Sequence, residues 1–243
     1  MAAVFRHGLR VCCLATATAM MGCTESMQMH VSFRRHATCH VIAASLTLLY
    51  SSFPAMADAA EFAIGDKLPE FSNLHAVDGT RWDSMKLGDS RVLIVVFTCN
   101  RCPYAVEYED RLNALHAKYS ESGKQVRLFV INSNYGPNES LKRMRLRAKE
   151  KRFNFPYVKD TDQSVARSLG AVYTPEFFVF DHDGRLVYKG ALDDATNSEN
   201  VKTNYVDDAV SALLAGAPVK TTEIGARGCT IRFRRRRPSP RGP

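Results

Sequence analysis

Two cysteines, separated by Asn100 and Arg101, end an apolar run in the stretch RVLIVVFTCNRCPYAVEYEDRL (Arg91 to Leu112). Thiols at this spacing suit three kinds of chemistry. They can form half of a structural zinc site, cycle between dithiol and disulfide, or supply the reactive cysteine of peroxide reduction. A zinc knuckle needs two more Cys or His ligands at suitable spacing. Past residue 57 the chain offers only Cys229 as a third cysteine and no His-x₃₋₅-His pair. That supply is too small for zinc knuckles or a disulfide-stapled scaffold.

The placement of the pair favours redox chemistry. Cys99 falls where a buried strand hands over to a helix, and the free N–H groups of a first helical turn stabilise an anion. The thiolate is the nucleophile, so this position predicts a lowered pKa at Cys99. Cys102, one turn further on, is placed to attack a mixed disulfide on Cys99 and release a reduced partner. Arg101 adds a positive charge between them, and Pro103 has no N–H to lose at a helix start. A second feature is Thr174-Pro175, just before the strand EFFVFD. A proline that opens a buried strand fits either a cis bond or an ordinary trans strand start.

The surrounding pattern predicts the elements that hold these residues. IGDKLPEFSNL leads into a short strand, and Asp78-Gly79 in HAVDGTRW marks a hairpin. Arg91 to Phe97 reads as a strand buried on both faces, and Val106, Leu112, Leu115 and Tyr119 recur at helical spacing. Gln125 to Asn134 reads as a second buried strand, and Pro137 to Ser140 opens a helix that runs to about Arg152. FPYVKD is extended, and SVARSLGA is a short helix that stops at Gly170. TPEFFVFD and RLVYKG form a hairpin about DHDG, and Tyr205 to Leu214 is a last helix. The order predicts one α/β domain, a mixed central sheet covered by helices on both faces.

Composition places the chemistry in context. The 243 residues are 45% hydrophobic and 24% charged, ordinary for a globular chain that can bury a full core. The net charge of +8 suggests nucleic acid until it is located. Residues 1–57 carry +3 and residues 230–243 carry +6, which leaves −1 for the body and argues against nucleic-acid binding. The C-terminal run RFRRRRPSPRGP reads as a basic, disordered tail from Thr230 onward.

At the other end, Arg34-Arg35-His36, the apolar stretch VIAASLTLLY and Ala55-Met56-Ala57 form a secretory signal pattern, with cleavage expected after Ala57. The apolar run is too short to span a bilayer comfortably. Met27 or Met29 would be a natural start for that peptide. A rival reading is a lipoprotein signal ending at Cys23, which would bring membrane association; a mitochondrial presequence is the third. The expected location is therefore exported, periplasmic or secreted, where a dithiol can cycle against other proteins' disulfides.

Read in order, FTCNRCPY, NSNYGPNES, RAKEKRFNFPYVKD, GAVYTPEFFVFD and GCTIRF resemble a peroxiredoxin-like family of the thioredoxin-like superfamily. The entry IGDKLPEFSNL and the strand VLIVVFTCNRCPY are similar to its redoxin branch, the alkyl hydroperoxide reductase/thiol-specific antioxidant group. The resemblance covers about Ile64 to Phe233, and the domain is set at residues 62–229. It implies a thioredoxin fold with an N-terminal β-hairpin extension, Cys99 and Cys102 as the redox pair, and a cis Thr174-Pro175 bond beside them. The function it implies is thiol–disulfide exchange with protein or small thiol partners, with no organic cofactor because the dithiol carries the electrons. Hydroperoxide reduction is the alternative. There the sequence departs from the P-x-x-x-T-x-x-C motif, with Cys99 where the motif has Thr and Val95 where it has Pro.

Other residues have milder readings. Cys229 in GARGCTIRF is either a small hydrophobe in a final strand or a resolving thiol for Cys99 or Cys102. Lys142 to Arg152 reads as the exposed face of a helix with Leu141, Met144 and Ala148 turned inward. His182 in DHDG would be the histidine of a copper-delivery reading, but copper-assembly proteins of this fold space their cysteines C-x-x-x-C, one residue longer. Trp82 and Phe71 read as core.

Overall fold

The computed structural model describes residues 61–87, 90–120 and 125–235. The signal pattern, Ala55-Met56-Ala57 and Cys23 lie outside the described residues. Among the described residues no helix is long and apolar enough to cross a membrane.

The chain runs β1 (Leu74–Ala76), β2 (Arg81–Trp82), β3 (Val92–Phe97), α1 (Pro103–Glu107), α2 (Glu109–Ser120), β4 (Val126–Asn132), α3 (Leu141–Glu150) and β5 (Tyr157–Lys159). It continues with α4 (Ser164–Ser168), β6 (Tyr173–Thr174), β7 (Glu176–Phe180), β8 (Leu186–Gly190), α5 (Tyr205–Leu214), β9 (Glu223–Ile224) and β10 (Cys229–Thr230). Eight strands form one sheet in the order β2-β1-β5-β4-β3-β7-β8-β9, and β10 pairs with β6 apart from it. The sheet is mixed. β3, β4 and β5 run parallel, whereas β7 lies antiparallel to β3 and β8 antiparallel to β7.

The centre of the sheet follows from the apolar run. Every residue of Val92–Phe97 is buried, because helices cover both faces. Val92, Ile94 and Val96 enter one core with Leu112 and Leu115 of α2, Met144 of α3 and Val206 and Val210 of α5. Leu93, Val95 and Phe97 enter the other with Phe129, Phe178, and Val165 and Ala166 of α4. Period-2 alternation thus feeds two cores from a single strand. Phe71 and Trp82, expected as core, flank Phe129 at ring distances of 5.8 and 5.3 Å.

The β1–β2 hairpin and the β7–β8 hairpin form where Asp78-Gly79 and DHDG predict turns, and Gly184 takes φ +71° at the second. α5 coincides with the expected Tyr205 to Leu214.

Two helices differ from expectation. Pro137–Glu139 is a separate 3-10 turn, and α3 starts only after an extended Ser140, whose hydroxyl accepts the Arg143 N–H at 3.4 Å. The serine captures an orphan N–H of the first turn and so sets the helix start there, not at the proline. The helix after the cysteines is interrupted at Tyr108, whose hydroxyl turns to Asp193 at 3.2 Å.

The chain past Thr230 also departs from the expected tail. Ile231 is buried in the second core, Phe233 packs against it, and the Arg234 N–H donates to Gln163 at 2.7 Å. Packing therefore extends through the start of the arginine run, since Ile231 and Phe233 alternate with Arg232 and Arg234 and supply an apolar face.

Candidate active site

β3 delivers Cys99 two residues beyond its last paired position, and Cys102 caps α1 with Pro103 behind it. This local geometry comes from the sequence: the apolar strand must end at the sheet edge, and proline tolerates only the first turn of a helix. The Cys102 N–H donates to the Cys99 sulfur at 3.3 Å. Both side chains are buried, at 6% and 4% exposure. Both are free thiols, as is Cys229.

Thr174-Pro175 lies over the pair, joined by a cis peptide bond. The Thr174 hydroxyl is 3.4 Å from the Cys99 sulfur, and the Cys102 thiol donates to the Thr174 carbonyl at 3.1 Å. Glu176, the first residue of β7, holds this segment by accepting the N–H groups of Val172 and Tyr173 at 2.7 and 2.8 Å. Burial pushes the Glu176 carboxyl up, against the pull of those two donors.

Cys229 arrives from the far end of the chain. β10 pairs antiparallel with β6, with Cys229 opposite Thr174. The Cys229 N–H donates to the Cys102 sulfur at 3.3 Å, and its carbonyl accepts the Thr174 hydroxyl at 3.3 Å. The side chain packs against the Cys99–Cys102–Ala105 cluster. The close approach depends on Gly228, where a Cβ would overlap the Thr174 carbonyl.

The electrostatics reverse one expectation. Cys99, expected as the activated thiol, is pushed up by burial, and the Thr174 hydroxyl and the backbone N–H groups of Arg101 and Cys102 offset this only in part. Cys102 is the thiol held low. Burial opposes its ionisation, but the Cys229 thiol, the N–H groups of Ala105 and Cys229, and the Thr174 hydroxyl outweigh it. Cys229 is pushed up to about 11, first by its hydrogen bond to Cys102 and then by burial. Arg101 assists Cys99 through its backbone N–H, while its side chain is exposed at the rim.

A polar layer beneath Cys99 escaped the sequence reading. Glu139, 6% exposed, accepts the Asn100 N–H at 2.9 Å and the Asn132 amide at 2.8 Å. Tyr157 donates to the Asn100 side chain at 3.0 Å, and the Asn100 amide donates to the Asn138 carbonyl at 2.7 Å. Beside them the Lys159 amine donates to the Asn134 carbonyl at 2.6 Å, and burial brings its pKa down to about 8. NSNYGPNES was legible only as a motif; nothing in its spacing shows that Glu139 folds back onto the CNRC loop.

The thiols border an open cavity of about 320 Å³ whose lining includes Cys99, Arg101, Cys102, Glu139, Thr174 and Cys229. His182 lines a different cavity, at the tip of the β7–β8 hairpin, and shares no hydrogen-bonded contact with the cysteines. Among the described residues, the metal-ligand cluster with all donor atoms within 4.8 Å is Asp181-His182-Asp183, not the three sulfurs. The arrangement suits thiol chemistry: three sulfurs border an open cavity, beside protein groups that set their ionisation.

Comparisons with known proteins bear on the family and the fold. No curated protein matches the chain. A hypothetical protein from Sinorhizobium meliloti 1021 is 34% identical, with 72% of this chain and 97% of that one covered and a TM-score of 0.66. An uncharacterized conserved protein from Geobacillus kaustophilus is 31% identical, with 72% and 95% covered and a TM-score of 0.67. A thioredoxin-like protein solved in its oxidized form shares the fold, with a TM-score of 0.52 at 17% identity over 63% of this chain and 97% of that one. The Redoxin family model matches residues 63–206. With its mixed sheet, flanking helices and that match, the chain belongs to the Redoxin family of thioredoxin-like proteins.

Proposed function

We propose that this protein is a thiol–disulfide oxidoreductase that works through Cys99 and Cys102. The observation that carries this reading is the adjacency of the two thiols, with the Cys102 N–H on the Cys99 sulfur under Thr174-Pro175, at the border of an open cavity. In the exchange, a thiolate attacks one sulfur of a partner disulfide and the second thiol displaces the partner. Two protein thiols become a disulfide and the partner gains two thiols; the reverse sequence oxidises a partner. Cys102 is the thiolate-prone member, and Thr174 lines the cavity that a partner would enter. Protein or small thiol partners fit this chemistry, and the dithiol itself carries the electrons.

The test is a glutathione titration with mass-spectrometric readout of all three thiols. A two-electron couple that ends as a Cys99–Cys102 disulfide supports the reading. A value near roughly −270 mV would mark a reductase and one near roughly −120 mV an oxidant. Failure of the two residues to form a disulfide would end it.

Hydroperoxide reduction is the second reading, favoured by the lowered Cys102 thiol followed directly by Pro103. Peroxide consumption lost in Cys102→Ser and kept in Cys99→Ser would support it. Export fits either activity, because an oxidising compartment supplies disulfide partners. Its support is the A-x-A pattern at residues 55–57, and the test is a mature N-terminus at Asp58.

A further inference from the structure

Cys99 and Cys102 are both buried while Cys229 is half-buried, and the three differ in partners; together these differences suggest an order of events. Cys99 is buried beneath the Thr174 hydroxyl and above the Glu139 layer. Cys102 touches both other cysteines: its N–H reaches the Cys99 sulfur and its sulfur accepts the Cys229 N–H. Cys229 is half-buried at the cavity rim. Its strand is fastened on both sides, by the Ile231 N–H on the Val172 carbonyl at 2.7 Å and the Arg232 N–H on the Asn134 side chain at 2.8 Å. Gly228 permits that seating, since any larger residue would drive β10 away from Thr174.

We propose that Cys229 is the third member of a thiol relay, in which Cys102 reacts first, Cys229 resolves it, and Cys99 takes the disulfide last. This rests on the thiol–disulfide reading above and adds an order and a third residue to it. The Cys102 thiolate attacks a partner disulfide, forms one mixed disulfide and releases one partner thiolate, which takes a proton from solvent. Cys229 then attacks the Cys102 sulfur, forming Cys102–Cys229; its proton goes to the second partner sulfur as that leaves. Finally Cys99 attacks Cys102, giving Cys99–Cys102 and returning Cys229 as a thiol, with its own proton transferred to the Cys229 sulfur. The net change is a partner disulfide reduced and one protein disulfide formed, with no further oxidant. The oxidised state ends on the inner pair, and the rim thiol frees the partner from Cys102.

The experiment uses the reduced protein mixed with oxidised glutathione, quenched with acid at intervals, alkylated and digested with trypsin. Cleavage after Arg101 puts Cys99 and Cys102 on separate peptides, and Cys229 follows Arg227, so each linkage is read directly. In the wild type, Cys102–Cys229 rises first and decays as Cys99–Cys102 grows. Cys99→Ser should stop at Cys102–Cys229. Cys229→Ser should accumulate glutathione on Cys102 and close Cys99–Cys102 about tenfold more slowly. Gly228→Ala, which keeps all three thiols, should delay Cys102–Cys229, with circular dichroism checking that the variant is folded. The relay is overturned if glutathione first appears on Cys99, or if Cys229 stays free throughout and Cys229→Ser oxidises at the wild-type rate. In both cases a Cys99–Cys102 product leaves the simpler dithiol reading standing, whereas a protein that forms neither disulfide loses both.

Discussion

The Glu139 carboxylate and the backbone N–H of Asn100 meet at 2.9 Å, so a buried acid grips the loop between the two cysteines. The same oxygen accepts the Asn132 amide, which ties the CNRC loop to the end of β4. Glu139 thus holds the loop in place, and its negative charge makes Cys99 harder to ionise.

Glu139→Gln should therefore lower the Cys99 pKa. At a fixed pH below that pKa more thiolate is present, and alkylation of Cys99 should speed up by about two- to fivefold. Rates measured peptide by peptide check this. An unchanged rate would mean that the carboxylate's charge does not reach the sulfur.

The three thiols should titrate in a set order. Alkylation followed from pH 6 to 11 should find Cys102 reactive first. Cys99 follows at higher pH because burial raises it, and Cys229 follows near 11. Cys229→Ala removes a hydrogen-bond donor to the Cys102 thiolate and should shift the Cys102 profile to higher pH. Cys99 leading the series would contradict the assignment of Cys102 as the thiolate-prone member.

Away from the cavity, Arg147 makes a two-pronged contact with the buried Glu109, at 2.7 and 2.8 Å. Burial raises the Glu109 carboxyl and the arginine opposes that rise. Arg147→Ala leaves a poorly compensated buried charge and should destabilise the protein by about 2–4 kcal/mol in urea unfolding followed by Trp82 fluorescence. The Glu109 pKa would rise further above its unfolded value, so folding would bind a proton. The loss should therefore grow as pH climbs from about 4 to 7. A pH-independent loss would point to lost packing instead.

Gly190 ends β8 with φ +137°, where a Cβ would overlap the Ile224 carbonyl. Gly190→Ala should detach β9 from the sheet edge and destabilise by about 2 kcal/mol or more. Hydrogen exchange at the Lys189 amide, which is bonded to the Thr222 carbonyl, should rise with it. Unchanged protection there would show that the edge absorbs the extra methyl.

Much of the architecture was legible because it is local. The run VLIVVF demands cover on both faces, DG and DHDG demand turns, and Gly216 stops α5. Hence the central strands, both hairpins and the last helix agree with their expected places. The Ser140 start of α3 was missed because proline is the louder signal for a helix start, although serine is the better cap. The packed C-terminus was missed because composition averaged over the arginines hid the alternation of Ile231 and Phe233.

By itself, the sequence determined which thiols could serve: the CxxC spacing at a strand end, the proline after it and the shortage of zinc ligands are all properties of neighbours along the chain. Tertiary structure decided how those thiols differ. Cys102 and Cys229 lie 127 residues apart, yet one donates its N–H to the other's sulfur. Glu139 reaches the loop from 39 residues away. Ionisation depends on burial and on the donors and charges within a few ångströms, and chain separation carries no information about either. A helix start predicted a low Cys99; the desolvation that lifts Cys99, and the donors that hold Cys102 down, exist only once β10, β6 and the Glu139 loop have come together.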